Sequence, residues 1–131
     1  MSDIRLVFLS KAEESLAGAE SEFANERYNN CANRCYYACF QAAIAALIQA
    51  DIGPRSPRGQ WGHDFVQAEF IGQLINRRKI YPASLRDVLE RTYTLRQVAD
   101  YQAEFVTERQ AARALRRARQ LVEVIAGGET V

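Results

Sequence analysis

The chain has 131 residues, 48% of them hydrophobic and 25% charged, which fits one globular domain able to bury a core and excludes a disordered or fibrous polypeptide. Lys and Arg number 17 against 16 Asp and Glu, a formal charge of +1, so the molecule as a whole makes no case for a polyanion partner. The charge is uneven: net −3 over residues 1–52 and +3 over residues 53–83, so any nucleic-acid surface is expected to be a local patch.

With three Pro and seven Gly, and with Ala, Arg, Glu, Gln and Leu dominant, helix is favoured throughout. Met1 is followed by Ser-Asp-Ile-Arg and no run of about 18 apolar residues occurs, so no signal peptide and no membrane span are expected. The expected compartment is the cytoplasm.

In chain order, helical spacing of Ile4, Phe8, Ala12, Leu16, Ala19 and Phe23 predicts a first helix over residues 3–25, with Glu13, Glu14, Glu20 and Glu22 on the wet side. Ser2 or Asp3 can cap it. A short break at Asn25–Arg27 predicts a helical hairpin with the next element.

That element, Tyr28–Gln49, is apolar around most of its circumference and is expected to be buried. Its exception is a stripe of Asn30, Arg34, Tyr37 and Gln41, spaced 4, 3 and 4 on one face. Removing a charge from water is costly, so Arg34 needs partners. Two readings stand side by side: Arg34 pairs with a carboxylate such as Asp100 and fixes helix register, or the stripe is a site. Cys31, Cys35 and Cys39 recur every four residues, an odd number without disulfide geometry, and read as reduced core thiols rather than metal ligands.

Residues 51–62, with three Gly and two Pro, form a loop displaying Arg55, Arg58 and Trp61, either a functional surface or an exposed crossover. His63 and Asp64 open a third helix to about Arg78, packed through Val66, Phe70, Ile71, Leu74 and Ile75, with Arg77-Arg78-Lys79 opposing its dipole. Helix four is predicted over residues 84–105, burying Leu85, Val88, Leu89, Leu95, Ala99 and Ala103, and Arg96 can pair with Asp100. Thr107 and Gln110 form a capping box for helix five, which buries Ala111, Leu115, Ala118, Val122 and Ile125 and stops at Gly127-Gly128. Arg109, Arg113, Arg116 and Arg117, flanked by Arg119, lie on its other side, as a phosphate track or a solvated face.

These elements predict an all-α fold, an antiparallel up-and-down bundle of about five helices. It forms a single domain over 1–131, with a crossover loop at 51–62 and a tail at 127–131. No phosphate loop, nucleophile elbow or zinc spacing occurs, so neither cofactor nor metal is expected. With one His, paired-His chemistry requires two chains. His63 at a helix start reads as a cap or packing residue, or as a catalytic one.

The segment Ala32-Asn33-Arg34-Cys35-Tyr36-Tyr37-Ala38-Cys39-Phe40-Gln41-Ala42-Ala43 resembles the "S-R-A-Y-Y-A-M-F-H-A-A" helix of HEPN-domain proteins, in their small bacterial and archaeal branch. Lys11–Leu16 resembles that branch's "K-A-x-E-x-L", Gly62–Phe70 its "S-H-x-x-V…F", and Leu95–Tyr101 its "L-R-x-x-A-D-Y". The resemblance implies a helical bundle that usually dimerises and in many members acts as a metal-independent ribonuclease. In that family an Arg and a His, with four to six residues between them, meet their copies at the dimer interface.

Arg34 falls on the motif Arg, and Gln41 stands where the motif has His. Cleavage through the neighbouring 2′-hydroxyl needs a group that exchanges protons near neutral pH, which His does and Gln does not. Arg34 keeps a fork of donors suited to phosphate. The leading expectation is a homodimer with a degenerate Arg…Gln site that binds RNA, a nucleotide or a partner through Asn30, Arg34 and Gln41. It would serve a toxin–antitoxin or defence system, with a nucleotidyltransferase-type antitoxin as a possible partner. The alternatives are an active toxin-type endoribonuclease using Arg34, Tyr37 and His63, and a purely structural interaction module.

Overall fold

The computed structural model describes residues 2–54 and 59–127, with side chains from residue 4 onward. Among the described residues, five α-helices make the bundle: α1 (Ser2–Ala24), α2 (Tyr28–Gln49), α3 (His63–Glu69), α4 (Val88–Tyr101) and α5 (Glu108–Gly127). A π-helical run over Phe70–Arg77 prolongs α3, and a 3₁₀ turn at Ala83–Leu85 precedes α4. The fold is all-α, as expected. The expected caps Ser2 and Asp3, the loop cations Arg55 and Arg58, and Gly128 and the rest of the tail lie outside the described side chains.

α2 is the central helix, packed against α1, α3, α4 and α5. Six successive residues of it, Ala42 to Leu47, are all buried. The alanines there let neighbouring backbones approach closely, while Ile44 and Leu47 fill the interior with Phe70, Leu74, Leu89 and Leu121. Cys31, Cys35 and Cys39 are free thiols with no exposure, as their spacing predicted. Burial pushes Cys39 up to about 12.

Two helix ends are closed by the same device. Arg27 N–H donates to the Glu22 carbonyl and Glu26 N–H to that of Phe23, at 2.9 and 3.0 Å, with Glu26 at φ 62°. At the end of α2, Ile52 N–H donates to the Leu47 carbonyl and Asp51 N–H to that of Ile48, at 2.9 and 3.0 Å, with Asp51 also at φ 62°. Both are Schellman closures, with an acidic residue in the left-handed position that usually takes Gly. Arg78 Nη1 donates to the Ala50 carbonyl at 3.1 Å, so the cationic run after α3 stabilises the carboxyl end of α2 as well as its own helix.

Several expectations need correction. Helix four does not run from 84 to 105: Leu85 ends a 3₁₀ turn that Arg86 and Asp87 separate from α4, α4 ends at Tyr101, and Ala103 is exposed. The helix opened by His63 becomes π-helical after Glu69, a register change that helical spacing alone does not reveal. Ile4 is 57% exposed, because the first turn of α1 overhangs the core. Trp61 is half-buried rather than displayed, with its ring against Phe8 and Phe65. The Thr107–Gln110 capping box is present, each backbone N–H donating to the other's side chain at 2.9 and 3.1 Å.

Candidate functional site

α1 and α2 pair antiparallel, and their contacts define one register. Asn30 Nδ2 donates to Glu22 at 3.3 Å, the Arg34 stem crosses over Gly18, and Gln41 meets Ser15 and Lys11. The polar stripe of α2 therefore faces a stripe of α1, Glu22, Gly18, Ser15 and Lys11, with the mirrored spacing 4, 3, 4. Gly in mid-helix costs about 0.5–1 kcal/mol relative to Ala. At Gly18 the bare backbone leaves room for an arginine: a Cβ there would lie 3.6 Å from Arg34 Cδ.

The two ends of the stripe behave differently. Gln41 is half-buried in the seam. With its amide oriented to satisfy both polar atoms, the nitrogen lies 3.0, 3.1 and 2.8 Å from the Lys11 carbonyl, the Tyr37 carbonyl and Ser15 Oγ, three acceptors that share its two hydrogens. It fastens α1 to α2. Arg34 and Asn30, expected to be enclosed, are exposed instead, because the stripe runs along the rim of the α1–α2 contact.

Arg34 does not pair with Asp100 directly. Its Nε and Nη2 both donate to Asn33 Oδ1, at 3.1 and 2.7 Å, and its guanidinium lies 5.3 Å from the Tyr37 ring centre. Asn33 Nδ2 in turn donates to the two Asp100 carboxylate oxygens at 3.0 and 3.3 Å. Asp100 also makes the expected ion pair with Arg96, 3.2 Å from Oδ2 to Nε, though the angle leaves that Nε without a hydrogen bond. Among the described residues no carboxylate lies within salt-bridge distance of Arg34, so its charge is held directly by a neutral amide, with the Asp100 carboxylate one amide further off.

Arg96 occupies the opposite situation. Its side chain is only 15% exposed, and its guanidinium lies 5.3–6.0 Å from the ring centres of Tyr36, Tyr37, Tyr93 and Tyr101. Behind it, Tyr36 Oη and His63 Nδ1 share a 2.8 Å hydrogen bond, and the imidazole stacks on Tyr93 at 3.9 Å and 19°. Burial pushes the Tyr36 hydroxyl above the ordinary tyrosine range, against the pull of Arg96. His63 thus ties the start of α3 to α2 and α4.

The structure brings Arg34, Tyr37 and Asn30 to one rim and puts Gln41 on the same seam. The contacts of His63 are with Tyr36 and Tyr93, not with Arg34. Two polar neighbours of the rim, Asn33 and Arg96, were not among the candidate residues. Asn33 sits 100° around the helix from Arg34, so a search along one face passes over it. On α5, Arg119 pairs with Glu20 at 2.8 Å, whereas Arg109, Arg113 and Arg116 are exposed. A surface depression of about 960 Å³ lies by Ala46, Arg78 and Val124, away from Arg34 at the other end of α2.

The fold and the rim define an all-α bundle whose central helix presents an exposed arginine held directly by a neutral amide. A family model for the HEPN domain matches residues 6–128, and the chain belongs to the HEPN-domain family. That family is associated with ribonuclease or toxin-type and nucleotide-binding functions. No curated protein matches the chain. Among the described residues, no helix is long and apolar enough to cross a membrane.

Proposed function

We propose that this HEPN-family chain binds RNA or a nucleotide phosphate through Arg34 and does not cleave RNA efficiently. The observation that carries the reading is that Arg34 is exposed and, among the described residues, hydrogen-bonded only to the neutral amide of Asn33. A guanidinium with donors to spare and no counter-carboxylate is a phosphate receptor. Gln41, in the motif's His position, gives its amide to the α1–α2 seam and has no proton to exchange near neutral pH. Asn30 and Tyr37 flank the guanidinium and complete the binding surface.

In this reading the chain acts as a cytoplasmic homodimer in a toxin–antitoxin or defence system, with a nucleotidyltransferase-type antitoxin as its partner. The test is incubation of the purified protein with mixed RNA in the presence of a metal chelator, followed by measurement of RNA binding. Binding without cleavage, lost in Arg34→Ala, is expected. Robust cutting that Arg34→Ala abolishes would overturn the reading in favour of a toxin-type endoribonuclease.

A further inference from the structure

We propose that Asp100 and Asn33 form a positioning relay that fixes which edge of Arg34 is offered to an incoming phosphate, an inference that rests on the phosphate-binding reading of Arg34. An ionised carboxylate only accepts hydrogen bonds. Asp100 therefore draws the NH₂ end of the Asn33 amide toward itself, at 3.0 and 3.3 Å, and turns the amide oxygen toward Arg34. That oxygen takes both Nε and Nη2 of the guanidinium.

Of the five donors of an arginine, the Nε–Nη2 edge is thereby occupied. Both Nη1 hydrogens and the outer Nη2 hydrogen remain free, so a phosphate is received end-on by two parallel donors. The Tyr37 ring below and the bare backbone of Gly18 beside the stem fix the plane and reach of the group. Asp100 touches no ligand in this arrangement; it acts through Asn33.

The relay makes a prediction opposite in sign to simple electrostatics. Removing a negative charge near a cationic phosphate site should tighten phosphate binding if only Coulomb forces matter. In Asp100→Asn, the new amide can donate to Asn33 Oδ1 or accept from Nδ2, so the Asn33 amide loses its fixed orientation and the introduced NH₂ competes with Arg34 for the Asn33 oxygen. Binding should therefore weaken.

The test uses the full chain and a fluorescein-labelled single-stranded oligouridylate of about twelve nucleotides, a length within the usual range of single-strand sites. Asp100→Asn is expected to weaken binding by about threefold or more, the scale of one net hydrogen bond. Unchanged or tighter binding overturns the relay. Asn33→Ala, at a partly exposed position whose loss leaves the core intact, should weaken binding to a similar extent. The double variant should bind no worse than either single one, because both act on one connection; losses that multiply overturn the relay.

A second readout is independent of the ligand. The Arg34 Nε–H resonance, identified by its disappearance in Arg34→Lys, should shift and exchange faster with water in Asp100→Asn. No change there also overturns the relay. If the wild type fails to bind the oligonucleotide, or Arg34→Ala binds as well as wild type, the phosphate-binding reading falls, and the resonance alone decides whether the relay exists.

Discussion

Arg34 and Arg96 lie over the same ring, Tyr37, at 5.3 and 5.4 Å, yet their surroundings assign them different work. Arg96 is enclosed by four tyrosines and paired with a carboxylate, so its charge is used up inside the bundle. Arg34 is exposed and anchored by an amide dipole, so its charge stays available. Proximity to an aromatic ring does not distinguish an arginine whose charge is spent inside the fold from one whose charge is available. The charge of the nearest polar partner does.

The largest effect should come from breaking the enclosed member. Arg96→Ala leaves Asp100 without its ion pair and opens a gap among the tyrosines, and a loss of about 2–3 kcal/mol in urea unfolding is expected. Arg34→Ala should show the reverse profile: RNA binding weakened about tenfold or more, equivalent to ~1.4 kcal/mol, with stability within about 0.5 kcal/mol of wild type. Equal stability losses for the two variants would erase the contrast. At the closed end of the same stripe, Gln41→Ala should cost about 1 kcal/mol of stability through lost seam hydrogen bonds.

Alkaline pH sharpens the contrast from another side. Cys39 and Tyr36 hold their protons more tightly folded than unfolded, their ordinary values being 9.0 and 10.0. The stability this gives is fully present below those values and declines as pH rises above them. The urea midpoint should fall from about pH 9 upward, and Cys39→Ala should lessen the decline. The smallest expected effect is at the α1–α2 turn, where Glu26→Gly relieves a left-handed residue and should add about 1 kcal/mol or less.

Much of the fold was legible because a 3.6-residue period records which face is covered. The rows Ala111, Leu115, Ala118, Val122 and Ile125 on α5 are all buried, and Thr107 with Gln110 spelled out a cap that forms. The exposure of Arg34 was not legible from α2 alone, since burial depends on which helices cover each side. The mirrored spacing of Glu22, Gly18, Ser15 and Lys11 in α1 was the available signal, and it becomes meaningful only once the two stripes are laid antiparallel. The closures at Glu26 and Asp51 were hidden for another reason: they use the geometry of a glycine without the residue. Asn33 was missed because its role comes from joining two groups, not from its own place in a pattern.

The π-helical run over Phe70–Arg77 has a consequence for how the chain tolerates length changes. Its hydrogen bonds reach one residue further than in an α-helix, as Arg78 N–H to the Gln73 carbonyl at 2.8 Å illustrates, so the segment carries one residue more than an α-helix would need. That surplus places Leu74 and Ile75 side by side in the core and sends Arg78 to the Ala50 carbonyl. Deleting the exposed Gly72 would remove that surplus and let the run close into an ordinary helix, with the residues after it, Arg78 included, kept in phase with the end of α2. The segment thus absorbs a one-residue change of length while the following residues keep their phase against the central helix.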